Sequence, residues 1–297
     1  MKKILIFRSA LFFFCLFLIL FFTIPSIHGQ GLPGPVVYSV PGMDKVKVHP
    51  DIVYKQDSQD EMKMDIFIPP DLTSDIRLPA VIFVHGGPLP SGMRNVKDSD
   101  FFRSYGKLMA ASGFVGVTFN HRYTGIHPKA METSFSDVEA AIRFVRANSS
   151  SHHIDPDRIV LWVFSGGGPH LSVVLRNRMK FIRCMVSYYG VIDIRTLARL
   201  IRQAPPESFE KYNPITYLTK DHDYRPPVLI ACAGRDYLPE INLDADKLFS
   251  RMRSLNSDVK LLNHPSGRHG FDYLNNDEQS RHIIKETVIF LKNHLNQ

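Results

Sequence analysis

Ile159-Val160-Leu161-Trp162-Val163-Phe164-Ser165-Gly166-Gly167-Gly168 carries six consecutive apolar residues straight into a serine and three glycines. An unbroken apolar run of that length suits a strand buried on both faces of a parallel sheet. Residues 169–179 then read as a helix, so Ser165 stands in a tight strand-to-helix turn, the layout that presents a nucleophile. Glycines belong there because the turn strains the serine backbone and small neighbours let strand and helix approach. A glycine-rich phosphate loop also joins a strand to a helix. That loop requires a Lys-Ser or Lys-Thr pair, whereas this chain continues with Pro169-His170.

Similar runs flank this one. Residues 80–84, 114–119, 182–189 and 228–233 are short and nearly all apolar, and segments with helical spacing lie between them. In residues 134–148, for example, Phe135, Val138, Ala141, Ile142 and Val145 share one face. A last strand at 259–262 precedes a closing helix with Ile283, Ile284, Val288, Ile289, Leu291 and Leu295. Earlier, 46–54 and 62–68 alternate polar and apolar residues around a turn, which reads as an antiparallel hairpin. The pattern predicts an α/β fold: a mostly parallel twisted sheet, helices on both faces, and an antiparallel hairpin at its start. Ligands of such sheets bind beyond the carboxyl ends of the strands.

Reactive residues follow several of these strands. After 228–233 comes Gly234-Arg235-Asp236, and after 259–262 comes His264-Pro265-Ser266-Gly267-Arg268-His269. Ser165, Asp236 and His269 thus occur in the order Ser, Asp, His at intervals of 71 and 33 residues, each beyond a separate strand. Their chemistry is complementary. A serine hydroxyl is a weak nucleophile until a histidine takes its proton, and a carboxylate holds that histidine in the required tautomer. His264 and Asp244 compete for the last two places, although 240–255 reads as a helix carrying Asp244. After 80–84 stands His85-Gly86-Gly87-Pro88, where backbone amides can face a developing oxyanion.

From about residue 46 onward the chain resembles an α/β-hydrolase of the esterase/lipase and dienelactone-hydrolase-like carboxylesterase group. His85-Gly86-Gly87 is similar to that group's oxyanion loop, and Asn120-His121-Arg122-Tyr123 and the 154–159 segment resemble two of its structural stretches. The resemblance implies hydrolysis of carboxylic esters through an acyl-serine, with no metal or organic cofactor. It implies Ser165, Asp236 and His269 as catalytic residues and Gly86, Gly87 and Gly166 as the oxyanion hole. Two positions depart from the pattern. Val163 replaces the first glycine of G-x-S-x-G, which predicts an opened or repacked turn, and Pro88, which lacks an N–H, replaces a third glycine. An HGGP loop also resembles prolyl-oligopeptidase-type peptidases, but too little chain precedes His85 for their propeller. A degenerate hydrolase serving as a binding protein is the remaining alternative that the two departures raise.

Composition narrows the class. The 297 residues are 44% hydrophobic and 22% charged, which excludes a disordered tail or a disulfide miniprotein and fits one domain. The net charge of +7 includes Lys2, Lys3 and Arg8, which precede the apolar run 11–22 in the layout of a secretory signal. Cleavage after Gly29 leaves +4, too little to point to nucleic acid. The chain then reads as a signal, 1–29, and one domain, 30–297, secreted or periplasmic. Uncleaved, residues 4–24 would span a bilayer and anchor it. Cys184 and Cys232 lie in neighbouring apolar runs and read as buried thiols rather than a disulfide. The segment 193–227, punctuated by Pro205-Pro206 and Pro226-Pro227, is a candidate cap. Ile194, Leu197, Leu200 and Ile201 recur there at helical spacing, suited to core packing or to an apolar wall. The expected partner is a small-molecule ester, with a small or medium acyl group or an acylated carbohydrate.

Overall fold

The computed structural model describes residues 34–57, 60–73, 75–90, 92–201 and 206–295. The signal and anchor readings fall on residues 1–29 and lie outside the described residues. Eight strands form one sheet: β1 (Lys47–Gln56), β2 (Glu61–Ile68), β3 (Leu78–Val84), β4 (Val115–Phe119), β5 (Ile154–Phe164), β6 (Ile182–Tyr188), β7 (Val228–Arg235) and β8 (Val259–Arg268). Their order is β1-β2-β4-β3-β5-β6-β7-β8. β1 pairs antiparallel with β2, and β2 antiparallel with β4, while every later pair is parallel. The expected hairpin and parallel sheet are both present.

The apolar runs split cleanly between two faces because alternate strand residues point to opposite sides. Ile82, Val84, Leu161, Val163 and Ile230 face one cluster, which is covered by α2 (Pro128–Ala147), α3 (Leu171–Arg176) and α5 (Pro239–Ser254). Val81, Phe83, Val160, Trp162 and Leu229 face the other, covered by α1 (Asp100–Ala111) and α7 (Glu278–Leu295). α2 shows why its sequence is helical there. His127 caps it, accepting from the Ala130 amide at 3.3 Å, Pro128 takes the first turn, and Met131, Phe135, Val138, Ile142 and Val145 fill the buried stripe. The two thiols are free and buried on opposite faces, Cys184 beside Val186 and Cys232 beside Ile230, so neighbouring strands do not bring their sulfurs together.

Three boundaries differ from the sequence reading. β5 begins at Ile154 rather than 159, because Ile154 pairs with Leu78 ahead of an irregularity that accommodates Pro156. β8 runs on to Arg268 rather than ending at 262, since β7 continues to pair with it as far as Arg235 and Arg268. The helix expected at 169–179 is preceded by a 3-10 turn, Ser165–His170, and α3 starts only at Leu171. Between β6 and β7 the chain runs through α4 (Ile194–Ile201) and two 3-10 turns, Pro206–Tyr212 and Pro214–Tyr217. Ile194, Ala198, Phe209 and Tyr212 are buried in the α2-side cluster, and the Tyr212 hydroxyl donates to Glu132 Oε2 at 2.8 Å. These residues take the core-packing role. The side chains at 197, 200 and 201 lie outside the described residues.

Candidate active site

Four parallel strands deliver their reactive residues at one edge of the sheet, each one position past the strand end. β5 ends at Phe164 before Ser165, β7 at Arg235 before Asp236, β8 at Arg268 before His269 and β3 at Val84 before His85-Gly86-Gly87. His269 Nε2 lies 2.7 Å from Ser165 Oγ, and His269 Nδ1 lies 2.7 Å from Asp236 Oδ2. The Asp236 carboxylate is fully buried and accepts from the Leu238 amide at 3.0 Å through its other oxygen. A carboxylate can only accept, so His269 Nδ1 carries the proton and Nε2 is free to accept from the serine hydroxyl.

Ser165 has a φ of 50°, in the left-handed region that side chains other than glycine seldom occupy. Its strain is held by the surroundings: the Val191 amide donates to the Ser165 carbonyl at 2.9 Å. Glycine is required around it because backbones converge. A Cβ on Gly86 would lie 2.9 Å from Ser165 Cβ, and one on Gly166 would lie 2.1 Å from the Gly87 oxygen and 2.8 Å from its nitrogen. Gly86, Gly87 and Gly166 therefore meet around the serine.

Val163 does not open the turn. It is fully buried, pairs with Val84 and Ser187 in the sheet, and coexists with 2.7 Å hydrogen bonds along the Ser-His-Asp chain. The 3-10 turn moves the start of α3 away from position 163, and the tight approaches fall at Gly167 and Gly168. Their Cβ positions would lie 2.9 Å from the His85 oxygen and 2.3 Å from the Val191 oxygen. The rival residues are elsewhere. His264 lies within β8 with Nε2 3.0 Å from both Asp277 Oδ1 and Ser280 Oγ, and Asp244 sits on α5, paired with Lys247 at 2.7 Å.

Packed around the His85-Gly86-Gly87 loop are three buried histidines. His85 Nδ1 is 2.6 Å from the Gly86 oxygen, His121 Nε2 is 3.3 Å from His85 Nδ1, and His170 sits between Ser134 Oγ (2.8 Å) and the Gly167 oxygen (3.0 Å). Burial pushes His85 down to about 4, His170 down to about 3, and His121 well below the ordinary imidazole range, so all three are neutral. Sequence reasoning placed His85 and His121 in motifs without this role and missed His170, whose signal was its position in the serine turn. It also missed Tyr189, which directly follows β6 and whose ring lies 4.7 Å from that of His269, and the exposed Tyr237, at 4.9 Å on the same imidazole. A groove of about 450 Å³ adjoins the loop, lined by Leu89, Asn95, Arg94, Asp60, Glu61 and Tyr123 among others. Tyr123 is shared by both: its ring would meet a Cβ on Gly87 at 2.3 Å, and its carbonyl accepts from the Leu89 amide at 2.8 Å. Among the described residues, no group of His, Cys, Asp and Glu is arranged to hold a metal ion.

The sheet order, the antiparallel start and a serine strained at the end of β5 define an α/β-hydrolase. Within that class the chain belongs to the BD-FAE family, whose model matches residues 64–246. It is 27% identical over 152 residues to liver carboxylesterase B-1 of Rattus norvegicus, covering 49% of this chain and 26% of that protein. It is 28% identical over 129 residues to the para-nitrobenzyl esterase of Bacillus subtilis (strain 168), covering 40% of this chain and 25% of that one. The chain thus spans about a quarter of the length of these curated relatives. In structure it is similar to esterase 2 of Thermogutta terrifontis, with a TM-score of 0.65 at 20% identity over 85% of this chain and 94% of that one.

Proposed function

We propose that the protein is an exported serine esterase that cleaves carboxylic esters through an acyl-serine intermediate. The observation that carries the reading is the continuous hydrogen-bonded chain from Ser165 through His269 to Asp236, with both links at 2.7 Å. Ser165 Oγ attacks the ester carbonyl as His269 Nε2 takes its proton, and Asp236 stabilises the imidazolium that results. Negative charge develops on the carbonyl oxygen, where the amides of Gly87 and Gly166, with Gly86 beside them, supply fixed donors. His269 then returns the proton to the leaving alkoxide, and water repeats the cycle on the acyl-serine. Pro88 contributes no N–H, so the hole relies on these glycines.

The groove beside Tyr123 supports a polar portion of the substrate. Its wall mixes carboxylates, a guanidinium and amides with Met62, Leu89, Met93 and Tyr123, a lining that offers hydrogen bonds and apolar faces together, as an acylated carbohydrate would use. We read 30–297 as one catalytic domain, with 193–227 as a short cap, and 1–29 as an export signal. Among the described residues, no helix is long and apolar enough to cross a membrane. Purified protein should hydrolyse p-nitrophenyl acetate and butyrate, and Ser165→Ala should abolish it. Activity that survives in Ser165→Ala refutes the reading. N-terminal sequencing of the exported protein tests cleavage after Gly29.

A further inference from the structure

Asp272 is a fully buried carboxyl group that the acyl-transfer scheme leaves unused. It lies three residues beyond His269, in the short helix α6 (Phe271–Leu274). Tyr105 of α1 donates to its Oδ2 at 2.6 Å, and Tyr189, the first residue past β6, donates to its Oδ1 at 2.7 Å. Burial raises its ionisation to about 6, with the two tyrosine hydroxyls and the charge of His269 pulling the other way.

Burying a carboxylate away from a cation is costly, which makes a carboxyl kept beside a reactive site a candidate for a role in it. The hydroxyls supply hydrogen bonds but no counter-charge, since burial holds both tyrosines neutral. The neighbour that can become positive is His269. Tyr189 links the two, with its hydroxyl on Asp272 and its ring 4.7 Å from the imidazole. Tyr189 is itself held in an unusual backbone conformation, φ 38°, with its amide donating to the Ala231 oxygen at 2.7 Å.

We propose that Asp272 is a second carboxylate of the site, a positioning residue held beside His269 by Tyr105 and Tyr189, whose buried charge favours the imidazolium formed during attack by Ser165. The inference rests on the serine-hydrolase reading above. In the resting site His269 Nε2 faces the serine hydroxyl and the ring gains little from Asp272. When the proton moves from Ser165 Oγ to His269 Nε2, the new positive charge meets a negative charge already in place, while the substrate oxygen takes the negative charge. An interaction realised only at that point raises kcat and leaves KM alone. The titratable groups facing Asp272 are Tyr105 from α1, Tyr188 and Tyr189 from the end of β6, Tyr273 on its own helix, and His269.

The test uses Asp272→Asn, close to isosteric, with two readouts from pH 5 to 9. One is the rate of Ser165 labelling by a fluorophosphonate; the other is kcat and KM for p-nitrophenyl butyrate. Asp272→Asn should lower the labelling rate and kcat roughly tenfold, leave KM within about twofold, and move the acid limb of both profiles to lower pH. A merely structural role would lower the plateau without moving the limb, and that result, or an unchanged plateau, overturns the proposal. Tyr189→Phe keeps the ring but removes one hydrogen bond from the carboxylate, so Asp272 protonates more readily. Its deficit should be severalfold near pH 6 and vanish by pH 9, and this variant decides the matter if Asp272→Asn does not fold. A deficit equal at both ends overturns the proposal. Labelling needs no ester, so wild-type protein that labels but hydrolyses no ester refutes the ester reading alone. Wild-type protein that does not label refutes both.

Discussion

A methyl group at Gly166 is the sharpest probe of the oxyanion geometry. The Cβ of Gly166→Ala would lie 2.1 Å from the Gly87 oxygen, 2.8 Å from its nitrogen and 3.0 Å from its carbonyl carbon. Ordinary contact lies at about 3.5 Å, so the two segments must part by roughly 1 Å, and no flexible side chain is available to absorb it. The parting separates the two amides that the proposed mechanism aims at one oxygen. Misplacement of about 1 Å costs about 100-fold in rate, and loss of one oxyanion donor costs about 2.7–4 kcal/mol, or 10²–10³ in kcat. The two estimates agree. Gly166→Ala should therefore lower kcat for p-nitrophenyl butyrate by about 10²–10³, with KM nearly unchanged because the ground-state carbonyl is held weakly. Overpacking should also cost about 1–3 kcal/mol of stability, visible as a lower melting temperature. Gly34→Ala, where nothing lies within 4 Å of the new Cβ, is the control. A folded Gly166→Ala protein that keeps more than about a third of wild-type kcat would show that Gly166 and Gly87 do not jointly form the hole.

Asp236→Asn preserves shape but presents a donor to His269 Nδ1, reversing the tautomer, and should cost about 10⁴ in kcat by steady-state assay. Lys97 is buried with Nζ 2.8 Å from Asp65, 2.7 Å from Asp98 and 2.9 Å from Asp51. Lys97→Met leaves the buried Asp65 carboxylate without its cation and should lower stability by about 3–5 kcal/mol in urea titration; a change below about 1 kcal/mol contradicts that account. The neutral histidines set an acid limit. Unfolded imidazoles titrate near 6.5, whereas His85, His121 and His170 are depressed by burial, to about 4 for His85 and about 3 for His170. Between about pH 6 and 4 the unfolded chain therefore binds three more protons at these sites, and Asp272, raised to about 6, offsets one of them. Stability is full above about pH 6.5 and should fall by roughly 2.7 kcal/mol per unit below pH 6. A melting temperature level from pH 7 to 5 contradicts this.

Two strand ends were legible because the apolar run stops where a reactive residue begins. They are Phe164 before Ser165 and Val84 before His85. The sequence order already puts His269 in the triad with His264 as a rival, and the structure separates the two. β8 continues past His264 through Pro265 and Gly267, and no periodicity in that stretch marks a strand. Of the two outcomes expected at Val163, an opened or a repacked turn, the opened one is absent. A local motif places the helix–strand crossing at that position, but the length of the 3-10 turn decides where the crossing falls. Tyr189, Asp272 and Tyr105 were illegible as a group. They come from the end of β6, from α6 and from α1, separated by 83 and 167 residues, and only the sheet register and the packing of α1 bring their polar atoms together.

The charges around the site are arranged by side. Asp236 and Asp272 lie with His269, where the proposed mechanism develops positive charge. Around Gly86 and Gly87 lie His85, His121 and His170, which burial keeps neutral. A carboxylate there would oppose the oxyanion, and a cation would favour a bound anion over a passing transition state. Neutral imidazoles avoid both: His85 can donate to the Gly86 carbonyl and His170 to the Gly167 carbonyl, so they brace the donor loop without adding charge. The arrangement ties the acid limit of folding to the geometry of catalysis. Protonating any of the three would put a desolvated cation beside the loop, and their depressed ionisation keeps the loop uncharged in the folded chain while the unfolded chain takes up protons below pH 6.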